Sequence, residues 1–117
     1  MATVNDSILL SVKKNIGIVE SYEVFDDQLI NYINAAFATL HQYGFGPKNG
    51  YEITGKDNLW SEIVTTPKYN LVKAYVTDFV HLHFDPPTSS YALDELRKQV
   101  EEESYRIMMQ VETGDSF

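Results

Sequence analysis

The segment Phe84-Asp85-Pro86-Pro87-Thr88-Ser89-Ser90, followed by the charged run over residues 91–112, most constrains what this chain can fold into. Two consecutive prolines end the apolar helix before them, because neither has an N–H and each drives the preceding residue out of the α region. The hydroxyls of Thr88, Ser89 and Ser90 can accept from the free N–H groups of a new helix, so one of the three is expected at its N-cap. A helix stop joined to a helix start is a sharp corner, and no catalytic group stands in it. It reads as architecture.

The remaining elements follow from spacing. Ile8, Leu9, Val12 and Ile16 recur at helical intervals behind Asn5 or Asp6 as cap, and Gly17 ends that first helix. A second helix is expected from Asp26 as N-cap, with Phe25 and Ile30 at hydrophobic-staple spacing. Its apolar face is Leu29, Ile30, Ile33, Phe37 and Leu40, and Gly44 suits the left-handed C′ position. A third begins at Thr66-Pro67, a cap followed by proline at N1, and is apolar around so much of its circumference that it should be central. The last carries Leu93, Leu96, Val100 and Ile107 on one face. Asp94–Lys98, Arg97–Glu101, Lys98–Glu102 and Glu102–Arg106 lie at i,i+4 on the others.

Residues 45–66 break the helical pattern at Gly46-Pro47, Asn49-Gly50 and Gly55. They are expected to form a projecting loop, with Tyr51-Glu52-Ile53-Thr54 as a short strand or hairpin arm and Asp57 or Asn58 capping a short helix. Trp60, the sole tryptophan, has two readings: it seals the loop onto the core, or it is an exposed interface contact. The fold class is therefore mainly α, a small bundle of about four helices with a mid-chain loop. Residues 1–112 are expected to form one domain and residues 113–117 a short tail.

At 117 residues the chain buries roughly 65% of its unfolded surface, enough for one modest core. It has no cysteine, which excludes disulfides and thiolate metal sites and points to a reducing place of synthesis. No stretch approaches the ~18 uninterrupted apolar residues that span a bilayer, so a soluble protein without membrane contact is expected. The net charge is −8, distributed as −3 over residues 1–44, +1 over 45–75 and −6 over 76–117. Nucleic-acid binding by counterion release needs clustered Lys or Arg, which this distribution lacks.

Catalytic chemistry is hard to place. His81 and His83 with Asp78 and Asp85 are the one constellation resembling a metal site. Two residues apart on a helix sets side chains about 200° from each other, whereas helical metal ligands sit three or four apart. Asp26-Asp27 reads as a capped helix start and Glu101-Glu102-Glu103 as a solvated face rather than as acid–base pairs. There is no phosphate cradle and no serine-nucleophile pattern. No enzyme activity, metal or cofactor is expected, and interaction remains as the role. Eight tyrosines with Trp60 exceed what one small core needs, and Tyr22, Tyr43, Tyr51, Tyr69, Tyr91 and Tyr105 fall off the main apolar stripes.

The closing pattern Val76-Thr77-Asp78-Phe79-Val80-His81-Leu82-His83-Phe84, the proline corner, and Leu93-Asp94-Glu95-Leu96-Arg97-Lys98-Gln99-Val100-Glu101-Glu102 together resemble the head–tail connector proteins of tailed bacteriophages. The similarity takes in Ile8-Leu9-Leu10-Ser11-Val12-Lys13-Lys14, the helix over residues 25–44, and Trp60. It implies a small helical virion protein of the phage neck, assembled in the host bacterial cytoplasm. The resemblance implies a ring of twelve-fold order on the portal protein that extends the DNA channel. It also offers a platform to a stopper or tail-completion protein.

Under that resemblance Tyr51, Ile53 and Trp60 are expected to anchor neighbouring copies. Arg106, Met108, Met109, Val111 and Phe117 are expected to dock on the portal, and Glu101, Glu102 and Glu103 to line the channel, where like charge lets DNA pass without sticking. Two other roles fit the residues: a stopper or tail-completion component, and a small acidic regulator that occludes a basic surface. The interleaved Arg97, Lys98 and Arg106 argue against the second.

Overall fold

The computed structural model describes residues 6–112 and realises the periodicity as α1 (Ile8–Asn15), α2 (Asp26–Gln42), α3 (Leu71–Phe84) and α4 (Ser90–Glu112). Short 3-10 turns at Trp60–Glu62 and Pro67–Tyr69 precede α3. α3 packs against α1, α2 and α4, as its nearly continuous apolar surface requires. α1 and α4 each pack on the α2–α3 pair. Ile8, Val12, Leu29, Ile33, Val72, Val76, Val80 and Ile107 are fully enclosed, and each such side chain contributes about 1.5–3 kcal/mol through burial.

The caps explain the boundaries. α1 is capped by Ser7 rather than by Asp6, with the Ser7 hydroxyl accepting from the Leu10 N–H at 3.3 Å; Asn5 lies outside the described residues. α2 departs further from expectation. Asp26 is its first helical residue and Phe25 occupies the N-cap without a side-chain bond, because the Asp26 carboxylate is taken by Lys13. Gly44 does follow the C-cap, at φ +94°, and a Cβ there would meet Val111 Cγ1 at 3.0 Å. The end of α2 and the end of α4 are thereby in contact. At the corner, Ser89 is the cap of α4, its hydroxyl accepting from Ala92 N–H at 3.0 Å.

The segment 45–66 does not project. Phe45, Ile53, Trp60 and Ile63 are all buried in the common core. No strand forms among the described residues; the sole β feature there is an antiparallel bridge between Ser7 and Leu59. Side chains replace a sheet as partners for the loop backbone. Asn34 of α2 accepts from Ile53 N–H at 2.7 Å and donates to Ile53 C=O at 3.0 Å. Asn58 Oδ1 accepts from Thr54 N–H at 2.9 Å, and the Ser7 hydroxyl donates to Lys56 C=O at 2.6 Å. With these polar groups satisfied, the segment can lie down on the helices and bury its apolar side chains.

Trp60 seals this arrangement. It is 2% exposed, meets Phe37 edge-on at 6.1 Å between centroids, and donates its indole N–H to Ser11 Oγ at 2.8 Å. Trp60→Phe removes that hydrogen bond and part of the ring. A loss of about 1–2 kcal/mol in urea unfolding is expected. A loss under about 0.5 kcal/mol would mean that the indole does not hold the loop.

Candidate interaction surfaces

The residues that resemble a metal site in the sequence have separate partners in the fold. Asp78 faces α4, where Gln99 Nε2 donates to its Oδ2 at 3.0 Å. His83 lies at hydrogen-bond distance, 2.8 Å through Nδ1, from Phe79 C=O and stacks on the Phe79 ring at 4.2 Å. Asp85 caps the end of α3 and is exposed. Among the described residues no group of three or more His, Cys, Asp or Glu side chains is arranged to hold a metal.

The acidic triplet of α4 is likewise divided. Glu101 and Glu102 are exposed, but Glu103 is 6% exposed and sits between α4 and α3, so it cannot line a channel in this fold. Its spacing explains why: Glu103 follows Val100 by three and precedes Ile107 by four, on the stripe that packs inward. Burial, a hydrogen bond with Asp78 and the Asp78 charge push its carboxyl up to about 8, so it holds a proton at neutral pH. Tyr75 lies beside it and is pushed up to about 12, chiefly by burial. Of the i,i+4 pairs expected on α4, Glu102–Arg106 forms at 4.0 Å. Arg97 and Lys98 instead turn back to Asp94 and Glu95 at 3.9 and 4.0 Å. All are exposed and contribute little.

Two of the three residues expected to anchor neighbouring copies are unavailable, since Ile53 and Trp60 belong to the core. Tyr51 is half-buried; its hydroxyl donates to Glu62 Oε1 at 2.8 Å, and burial pushes it well above the ordinary tyrosine range. Tyr69 is also interior, at 1% exposure, whereas Tyr22, Tyr91 and Tyr105 are exposed. At the end of α4, Arg106 and Met109 are exposed, Met108 is half-buried, and Val111 packs on the core beside Gly44. Phe117 lies outside the described residues.

Apart from Tyr91 in the first turn of α4, at 77%, the most exposed apolar side chains lie where periodicity gave no signal, in the connection between α1 and α2. Val19 is 68% and Val24 71% exposed, with Tyr22 and Phe25 beside them. Phe25 stacks edge-on against Phe84 at 5.2 Å, which fixes the connection at the corner end of α3. Lys13 holds it from beneath. Its ammonium donates to Glu20 C=O at 2.9 Å and Tyr22 C=O at 2.8 Å, and pairs with Asp26 Oδ1 at 2.8 Å. These three contacts match its three donors. An open groove of about 950 Å³ runs alongside, with Glu20, Glu23, Asp26, Asp27 and Asp57 among its lining residues.

Buried polar groups fix the framework of a small helical domain, and a set of apolar side chains is left outside it. A family model described as phage connector protein matches residues 8–114, nearly the whole chain. The chain belongs to the phage connector family. Comparison with curated proteins and with solved structures gave no match. No helix among the described residues is long and apolar enough to cross a membrane.

Proposed function

We propose that this protein is the head–tail connector subunit of a phage neck. It forms a ring on the portal, continues the DNA channel and presents a platform to the next neck component. The observation that carries this reading is the family match over residues 8–114. The fold supports it in a separate way. A ring built head to tail needs two different contact surfaces on each subunit, and the exposed apolar side chains fall in two places, the α1–α2 connection and the outer face of α4.

DNA passes without being gripped because the chain is acidic overall. Glu101 and Glu102 are the exposed members of the α4 triplet and can face a lumen. The acidic-regulator alternative needs one continuous negative face. On α4 the carboxylates of Asp94, Glu95 and Glu102 are instead interleaved with the guanidinium and ammonium groups they pair with.

The direct test is to mix the protein with the portal ring encoded in the same genome and image the product by electron microscopy. An added layer with the portal's rotational symmetry is expected. A bare portal at saturating concentrations of folded protein would overturn the reading and favour a place further down the tail.

A further inference from the structure

The turn Pro47-Lys48-Asn49-Gly50 places an asparagine where its side chain can react with its own backbone. Asn49 is the only asparagine in the chain followed by glycine. The turn closes with the Gly50 N–H donating to Pro47 C=O at 2.9 Å, and Gly50 takes φ +89°. Asn49 is exposed, and among the described residues none hydrogen-bonds to its side-chain amide. Apart from the chain neighbours of Gly50, no atom lies within 4 Å of where a Cβ on that residue would stand.

The other described asparagines are held. Asn15 Nδ2 donates to Ser11 C=O at 2.8 Å, Asn34 uses both ends of its amide on Ile53, and Asn58 Oδ1 accepts from the N–H groups of Thr54 and Gly55. Asn31 and Asn70 are followed by Tyr32 and Leu71, whose side chains and helical backbone hinder approach by the next nitrogen. Glycine removes that hindrance, because the nitrogen of a residue without a side chain can swing onto the neighbouring Cγ. The Gly50–Pro47 bond must open first, and a hydrogen bond in an exposed turn opens at small cost.

We propose that Asn49 is a site of spontaneous deamidation, converting to isoaspartate and aspartate in the folded protein. The Gly50 nitrogen adds to Asn49 Cγ, the Cγ–Nδ2 bond breaks, and ammonia departs carrying the proton that Gly50 gives up. Water then opens the succinimide at either carbonyl, leaving a carboxylate where a neutral amide stood. Water is the only co-reactant, and nothing is oxidised or reduced. The turn lies between Phe45, buried in the core, and Tyr51, whose hydroxyl donates to Glu62, so the change stays local. The new charge stands on an open hollow of about 590 Å³ lined also by His41 and Glu52. It adds one negative charge to a chain already at −8, so older copies are more acidic than new ones. The inference does not depend on the connector reading.

The test incubates the full chain and its Asn49→Gln variant at mildly alkaline pH and 37 °C, folded and in guanidinium chloride. Ion-exchange chromatography follows charge, peptide mapping by mass spectrometry locates the change, and isoaspartyl methyltransferase labels isoaspartate. The folded wild type is expected to gain one acidic species, with NH exchanged for O at Asn49 and isoaspartate among the products. Conversion should be about ten-fold slower than in the unfolded chain, the effect of one turn hydrogen bond. The Asn49→Gln variant should lose that species. A folded chain that stays unmodified while the unfolded chain converts would show that the turn protects Asn49, and would overturn the proposal. So would an acidic species that maps to another asparagine or persists in Asn49→Gln.

Discussion

Lys13→Met is expected to destabilise the protein by about 3–5 kcal/mol, the usual cost of leaving one member of a buried ion pair without the other. Methionine keeps most of the apolar stem and removes the ammonium. The Lys13 side chain is 1% exposed and Asp26 21%, so water can reach only part of what is left. Besides the carboxylate, the carbonyls of Glu20 and Tyr22 lose their donor. For a domain of this size the loss corresponds to a fall of roughly 10–20 °C in melting temperature. Circular dichroism at neutral pH would measure it.

Adding Asp26→Asn should recover part of the loss, since the orphaned charge is then removed while the two carbonyls stay unpaired. The cycle separates the ion pair from the backbone contacts. A melting temperature within about 3 °C of the wild type for Lys13→Met would show that the connection holds its shape without the lysine.

The parts of this fold that were legible in the sequence are those set by local rules. The proline corner, the Ser89 cap, the left-handed Gly44 and the central apolar α3 all follow from backbone chemistry within a few residues. The segment 45–66 departs from the projecting loop its turn residues suggest for a non-local reason. Its turn residues do break the helix, but whether it projects depends on Asn34, which bonds to Ile53 across 19 positions. Nothing in the segment itself announces that partner. Once the bonds form, Ile53 and Trp60 go inward and cease to be surface anchors.

The polar groups were legible in part. Lys13 follows Leu9 by four and so shares its inward face, yet lysines at such positions often extend outward along their stems. Its burial is decided by the three acceptors that the connection brings to it. The exposed Val19 and Val24 obey no period because a connection has none. Exposure there is a property of the tertiary fold and was outside what spacing can express.

Glu103 makes the stability of the α3–α4 contact depend on pH. An unfolded glutamate ionises near pH 4.5, whereas in the folded protein the carboxyl keeps its proton to about pH 8. Between those limits the native state binds a proton that the unfolded state has released, so stability falls as pH rises through that window and levels off above it. Each unit of separation corresponds to about 1.4 kcal/mol, so the total is on the order of a few kcal/mol.

Most of the groups facing Glu103 favour its neutral form. Asp78 and Tyr75 approach from α3, and Glu102 lies beside it on α4, with Gln99 the one side chain that assists the ionised form. Among the described residues no cation acts on it. Glu103→Gln keeps the shape and cannot ionise, so it should match the wild type near pH 5 and exceed it by a few kcal/mol at pH 9. Urea midpoints for both proteins at pH 5, 7 and 9 would measure the difference, which isolates Glu103 from every other titrating group. Parallel curves for the two proteins would show that α4 moves aside to hydrate the carboxylate, and that its seat on α3 is looser than the burial of Leu96, Val100 and Ile107 implies.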